Sequence, residues 1–500
     1  MPAPQIATDT IAAAATPPGR GGIGIVRLSG PQAASIAAQL VRLRHPLEHA
    51  HARLADVLDA DGDEATRIDE ALITLFRAPH SYTAEDLVEI ATHGSPVVQD
   101  LLLRRALELG ARLAEPGEFT QRAFLAGRLD LTQAEAVRDL IEAQTLTQAR
   151  QAASQMGGAL SRRVAPVKQS LVGLVALLEA GIDFAEDDVD VTPAQEIARR
   201  IAELTPSLAA LEASFARGRI VHDGLTLAIV GRPNVGKSSL FNRLVERDRA
   251  IVTAKPGTTR DLVTERISIG GIPIELVDTA GLREGREEAE QLGIARSREA
   301  LADAALVVVV LDATQPLNDE EHRLLAAVES RPAIVAINKS DLLESSSLEL
   351  TDTNATSHES PPQDSSRLYA SNVDGPRSES GSPSCAHDPA LDTHLGGLTA
   401  LRTSALTGEG IPALREKILV LATGGAAAEP GMLTNLRQHQ AVITALGALD
   451  DAAKANLGGI PHEMILLDLY RALWALDSLT GQTTSDDILS LIFSTFCIGK

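Results

Sequence analysis

Near the middle of the chain, Gly231-Arg-Pro-Asn-Val-Gly236-Lys237-Ser238 follows the apolar run Leu225–Val230. No other segment restricts the fold as strongly. Two glycines spaced this way, followed by Lys-Ser, let the backbone fold around a phosphate where a strand passes into a helix. That geometry belongs to parallel-sheet α/β domains. The alternation of strand-like and helical segments continues from Leu225 to about Leu421, as such a domain requires.

On either side the periodicity differs. Residues 1–122 mix strand-like runs (Ile23–Leu28, Leu72–Phe76, Leu87–Ala91) with a helical stretch at Gln99–Leu109, an α+β pattern. From Asp130, a side chain suited to capping, Leu131, Ala134, Val137, Leu140 and Ile141 fall at helical spacing. Helical periodicity recurs at Leu171–Leu178, at Ile201–Leu211 and from Leu433 onward. One helical domain, split by the inserted α/β domain, accounts for this order; two independent helical domains are the alternative. The expected divisions are 1–122, 123–222, 223–422 and 423–500, and the fold class is multidomain α+β and α/β. Within the inserted domain, residues 344–397 hold 12 serines and few large apolar groups, too little apolar surface to offset chain entropy. Disorder is expected there.

Charge narrows the function. Lys plus Arg number 45 against 67 Asp plus Glu, a net charge of −22, so no broad phosphate-binding coat is present. Seven of those negative charges belong to the serine-rich segment, where nine acids face two arginines. Two cysteines, Cys385 and Cys497, cannot build a disulfide framework, and no apolar run approaches the roughly 18 residues of a membrane helix. A cytoplasmic protein without membrane association is expected. Gly19-Arg-Gly21-Gly-Ile-Gly24 satisfies a dinucleotide fingerprint by spacing only, because it leads into a strand instead of a helix.

The nucleotide chemistry is specific. Asn234, Val235, Gly236, Lys237, Ser238 and Ser239 form the phosphate loop, with Lys237 reaching the β and γ phosphates and Ser238 ligating Mg²⁺. Asp278-Thr279-Ala280-Gly281 follows the apolar Ile274–Val277 and places a carboxylate near the metal and an amide near the γ phosphate. Asn338-Lys339-Ser-Asp341 follows Ile334–Ile337, and the Asp341 carboxylate can accept two N–H bonds from guanine that adenine does not offer. Ser404 and Ala405 complete a base-side loop. Thr259, in Gly257-Thr258-Thr259-Arg-Asp261, can supply a second protein ligand to Mg²⁺. The ligand is GTP. Leu282 stands where many GTPases carry a water-orienting Gln, so another residue must take that role.

With Arg232-Pro-Asn234, Gly257-Thr-Thr-Arg-Asp261, Asp278-Thr-Ala-Gly-Leu-Arg283, Thr16-Pro-Pro-Gly-Arg-Gly-Gly22, Pro116-Gly-Glu-Phe119, Leu129-Asp-Leu131 and Phe496-Cys-Ile-Gly-Lys500, the chain resembles the MnmE (TrmE) family of tRNA uridine-modification GTPases. The resemblance covers nearly everything except 344–397. It implies an N-terminal folate-binding and dimerisation domain, a split helical domain and an inserted Ras-like P-loop GTPase domain. It implies a homodimer whose GTP hydrolysis is stimulated by K⁺ held at Asn234, Thr253, Lys255 and Thr258, with Glu290 orienting water; a solvated helix charge is the alternative for Glu290. It also implies a flavoprotein partner, MnmG, in a heterotetramer, and addition of a carboxymethylaminomethyl or aminomethyl group to C5 of the wobble uridine of certain tRNAs. The one-carbon donor would be 5-formyl- or methylene-tetrahydrofolate, contacted by Arg27, Glu89, Arg128 and Lys500. Many members carry lysine at the Arg128 position; without the resemblance, Arg27, Glu89 and Arg128 read as structural charges. Cys497, placed in the final helix with Ile492 and Phe496, is either a small buried hydrophobe or a participant in modification. The rival function is a non-modifying GTP switch in ribosome or ribonucleoprotein assembly.

Overall fold

The computed structural model describes residues 9–59, 66–183, 192–246, 264–278, 304–343, 393–395, 397–425, 429–482, 489 and 492–499. The chain divides into two compact units: Met1–His222 with Ala428–Lys500, and Asp223–Ala427.

In the first unit, strands β1 (Ile11–Ala14), β2 (Gly21–Ser29), β3 (Val41–Leu43), β4 (Ala52–Leu58), β5 (Arg67–Phe76), β6 (Leu87–Gly94) and β7 (Arg112–Leu113) form one sheet in the order β3-β4-β5-β6-β2-β1-β7. All neighbours are antiparallel except β1 and β7. Helices α1 (Ala33–Leu40) and α2 (Pro96–Glu108) cover one face, burying Ile36, Leu40 and Leu102 against Val26, Leu28, Ile73 and Ile90. Alternation along β2 and β6 leaves Arg27 and Glu89 on the opposite face, directly paired in register. The glycine run at 19–24 enters β2, a strand.

Helix α3 (Glu118–Leu125) carries the chain across position 122, and its Phe119 is buried with Ile11, Ala13 and Leu87 of the sheet. Helix α4 (Leu131–Glu142) starts at a capping box: the Asp130 carboxylate accepts from Gln133 N at 2.9 Å and Gln133 Oε1 accepts from Asp130 N at 2.9 Å. Its Leu131, Ala134 and Val137 pack on Leu489, Phe493 and Phe496. Helices α5 (Leu146–Met156), α6 (Ala159–Asp183) and α7 (Ala194–Asp223) follow. Buried Leu160, Leu171, Leu178, Ile201 and Leu208 share one core with Val442, Leu449, Leu469 and Leu476 from beyond the inserted unit. The helices before and after the inserted unit thus contribute to a common core. Contrary to the reading that no run is long enough, residues 159–182 are long and apolar enough to cross a bilayer by length and composition. In this structure that stretch supplies seven side chains to the helical core, from Leu160 to Leu178.

The second unit is a sheet of β8 (Leu225–Val230), β9 (Thr264–Ile269), β10 (Ile272–Asp278), β11 (Leu306–Asp312), β12 (Ala333–Asn338), β13 (Thr393–Leu395) and β14 (Leu398–Arg402), ordered β13-β14-β12-β11-β8-β10-β9. The five central strands are parallel, with β9 and β13 antiparallel at the edges. Helices α8 (Lys237–Val245), α9 (Asp319–Val328) and α10 (Ile411–Thr423) belong to it. β11 is buried along its whole length, as a central parallel strand must be. The serine-rich segment expected to be disordered ends in β13, which pairs with β14 from Thr393 to Leu395; residues 344–392 lie outside the described residues. The unit closes at Ala427, where sequence pattern put the division after 422. Helices α11 (Leu436–Leu457) and α12 (His462–Thr480) then return to the first unit.

Candidate functional site

The nucleotide loops gather at the carboxyl ends of the parallel strands, where open α/β sheets bind ligands. The phosphate loop follows β8, Asp278 ends β10, Asn338 ends β12, and Ser404 lies just past β14. Gly231 (φ 154) and Gly236 (φ 97) give the loop its path; a Cβ on Gly236 would strike Asn338 Nδ2. Asn234 also takes a left-handed conformation (φ 65) and is exposed, as are Ser238 and Ser239 at the start of α8, whereas Val235 is buried beneath. Lys237 Nζ donates to the carbonyls of Gly231 (2.8 Å) and Arg232 (2.9 Å), so its ammonium spans the loop.

Asn338 ties two loops together. Its Nδ2 donates to Val235 O at 2.9 Å in a buried setting, and its Oδ1 accepts from Ala405 N at 3.0 Å in a half-buried one. Ser404 is fully buried, and its hydroxyl accepts from Thr407 N at 3.1 Å. Lys339 (φ 66) donates to Asp312 Oδ2 at 2.7 Å, with Asp341 two residues beyond at the start of a helical turn. Burial alone would push the Asp312 carboxyl up, but hydrogen bonds from Lys339 and Thr314 outweigh it and hold the pKa at about 2. Arg232 pairs with buried Glu321 of α9 at 2.9 Å, anchoring the loop from behind. Neither Asp312 nor Glu321 was expected as part of the site. Asp312 carried a usable signal, since it ends an apolar strand as Asp278 and Asn338 do; Glu321 carried none.

A second constellation lies on the open face of the N-terminal sheet. Arg27 Nη2 meets Glu89 Oε1 at 2.6 Å, and Arg27 lies over the rings of Tyr82 (5.8 Å) and Phe119 (5.6 Å). Arg128 lies over the same Tyr82 ring at 5.2 Å and donates to its carbonyl at 3.0 Å. Burial raises the Tyr82 pKa, with the two arginines opposing it. The chain's far end arrives here: Arg27 Nη1 donates to Gly499 O at 3.3 Å, Gly117 N to Cys497 O at 3.4 Å, and Ile498 bridges Pro116. The structure thus brings Arg27, Glu89 and Arg128 together beside the residue preceding Lys500. Beneath, Arg122 binds Glu118, Glu85 and Asp9 at 2.9, 3.1 and 2.8 Å, fixing the first turn of α3 that presents Phe119. Burial raises the Glu118 pKa, but bonds from Arg112, Glu115 N and Arg122 hold it below the usual carboxylate range.

Cys497 differs from expectation. It lies past the helical turn at 492–494 and is exposed, so the buried-hydrophobe reading falls. Tyr82 was missed because an aromatic in a loop has no spacing signal. Thr253, Lys255, Thr258, Thr259, Thr279, Ala280, Gly281, Glu290 and Lys500 lie outside the described residues, as does the side chain of Asp278.

Together these define a two-unit protein with a P-loop domain of the GTPase fold inserted into an α+β and helical body. A family model described as MnmE helical domain matches residues 131–497, and one described as GTP-binding protein TrmE N-terminus matches residues 10–128. The chain belongs to the MnmE (TrmE) family. It is 54% identical over 497 residues to the tRNA modification GTPase MnmE of Koribacter versatilis, covering 98% of this chain and 99% of that one. To the tRNA modification GTPase MnmE of Moorella thermoacetica it is 40% identical over 503 residues, with 98% and 99% covered. The G domain of the T. maritima FeoB iron transporter aligns at 25% identity over 40% of this chain and 98% of that one, at a TM-score of 0.23, which adds nothing to the motifs.

Proposed function

We propose that this protein hydrolyses GTP to GDP and phosphate, and that with a flavoprotein partner, MnmG, it modifies C5 of the wobble uridine of certain tRNAs. The observation that carries the reading is the meeting of Arg27, Glu89, Arg128 and the 497–499 tail on one sheet face, in a chain that also holds a complete phosphate loop.

The nucleotide residues fit GTP. The Gly231 and Gly236 positions leave room only for backbone, Lys237 spans the loop, and Asn338 and Ala405 set the base side. Ser238 and Thr259 would hold Mg²⁺, and Asn234, with Thr253, Lys255 and Thr258, would hold K⁺. These cations would offset charge that develops on the phosphates. Glu290 would orient the attacking water, in place of the residue that Leu282 cannot replace.

On the sheet face, Glu89 can accept paired N–H bonds from a pterin-like ring, and Tyr82 offers a flat apolar surface beside it. Arg128 would pair with the carboxylates of a tetrahydrofolate, 5-formyl or methylene, that supplies the one-carbon unit, and Lys500 would lie near that unit. Exposure of Cys497 supports a role for its thiol in the transfer. A homodimer, cytoplasmic and joined with MnmG, is the proposed assembly. The test is mass spectrometry of nucleosides from a strain lacking the gene. Loss of the C5 modification of wobble uridine is expected, and unchanged modification with altered ribosome profiles would replace this reading by an assembly switch.

A further inference from the structure

Helix α4 carries two adjacent side chains that contact segments far apart in the sequence, the C-terminal tail and the end of α7. Arg138 Nη1 donates to Thr495 Oγ1 at 2.9 Å, and its guanidinium lies 6.0 Å from the centre of the Phe496 ring. Thr495 in turn donates to Ile492 O at 2.7 Å, closing the last turn before Cys497. Asp139, its side chain nearly buried, uses a single oxygen twice. Oδ1 meets Arg138 Nη2 at 3.4 Å and His222 Nε2 at 3.1 Å.

His222 is the last residue of the first unit before the chain enters the nucleotide-binding unit. It is fixed by its backbone too: Gln148 Nε2 donates to His222 O at 2.6 Å, while Gln148 Oε1 accepts from the amides of Gln144 and Thr145 to cap α5. One continuous set of contacts therefore runs from the root of the inserted unit through Asp139 and Arg138 to Thr495 and Phe496. From there the backbone passes to Cys497, Ile498 and Gly499, which touch Gly117, Pro116 and Arg27.

We propose that Asp139 and Arg138 are positioning residues that couple the exit of α7 at His222 to the placement of the 495–499 tail, and so transmit nucleotide state to the modification centre. A pull on the last turn of α7 moves His222 against a carboxylate that cannot follow without releasing Arg138. Arg138 then loosens from Thr495 and Phe496, and the tail loses its anchor. The proposal rests on the reading of the tail as part of the modification centre.

The test uses the full-length protein with its MnmG partner and reads Cys497 alkylation by iodoacetamide, resolved by peptide mass spectrometry, with GDP and with GDP plus aluminium fluoride. In the unaltered protein the two rates should differ by about fivefold or more, within the usual range of site-to-site coupling. Asp139→Asn and Arg138→Gln should bring the ratio to within about twofold of one while GTP hydrolysis continues. Thr495→Val, at an exposed position, removes only one hydroxyl and should do the same should either helix variant fold poorly. A ratio of one in the unaltered protein, or a ratio unchanged in all three variants, overturns the coupling. Wobble-uridine modification measured in parallel separates the outcomes: if it persists with an unchanged ratio, the relay fails and the function stands.

Discussion

Gly117→Ala should release the C-terminal tail without touching either arginine. Gly117 has φ +70, and a Cβ there would stand 2.7 Å from Phe493 O and 2.9 Å from Phe496 Cβ. The left-handed conformation alone costs an alanine about 1 kcal/mol. Neither neighbour can yield easily, because one is backbone and the other belongs to a ring that is buried with Phe493 and Leu131. If the tail shifts enough to uncover Phe496, a further ~2 kcal/mol of burial is lost. The opening free energy of the tail should therefore fall by about 1–3 kcal/mol, which corresponds to roughly five- to 150-fold faster exchange. The assay is amide hydrogen exchange of the peptide spanning 492–499, where the Thr495 and Phe496 amides bond to Ile492 and Phe493 carbonyls. Wobble-uridine modification should fall with it, while GTP hydrolysis stays. Unchanged exchange across 492–499 would show that the tail does not depend on the close approach at Gly117, and the reasoning would fail.

Three further outcomes are expected. Asp312→Asn should destabilise the nucleotide-binding unit by about 2 kcal/mol near neutral pH, the equivalent of holding the carboxyl at about 2. Because the folded-state pKa is depressed, that contribution is present above the ordinary carboxylate value and lost as pH falls toward about 2, so exchange at Val307–Asp312 should lose this acid dependence in the variant. Hydrolysis should be faster in K⁺ than in Na⁺ at equal ionic strength, with Asn234→Ala removing the difference; equal rates in the two salts refute the potassium assignment. Tyr82→Leu should weaken 5-formyl-tetrahydrofolate binding about three- to tenfold by calorimetry, through loss of the ring that both arginines contact, and unaltered affinity would detach Tyr82 from that site.

What the sequence made legible followed from local rules. Gly231–Ser238 announced a strand, a loop and a helix because its backbone geometry admits little else, and Asp278 and Asn338 were readable as strand ends. Asp130 was readable as a cap, and the helical stripe at Leu131, Ala134 and Val137 as a buried face. Long-range features were not legible. Nothing near Arg27 indicates that Gly499 lies against it, since no periodicity links positions at opposite ends of a chain. The final helix was read too far because Ile492 and Phe496 share helical spacing, yet the Pro116 bridge draws the backbone at Ile498 into an extended path before another turn can form. Residues 159–182 are apolar enough to suggest a bilayer, and only their neighbours reveal that seven of their apolar side chains pack into a protein core.

The helical core has an order-of-synthesis consequence. Leu160 to Leu211 emerge first, but their partners, Val442 to Leu479, are made only after all of Asp223–Ala427. At translation speeds of ~5–20 residues per second, those apolar faces wait roughly 10–40 s for their complement. The inserted unit, whose strands and loops are contiguous, can fold during that interval. The first unit therefore spends its youth half-built, with a sticky helical surface that a cell must shield from its neighbours until the ribosome has delivered the second half.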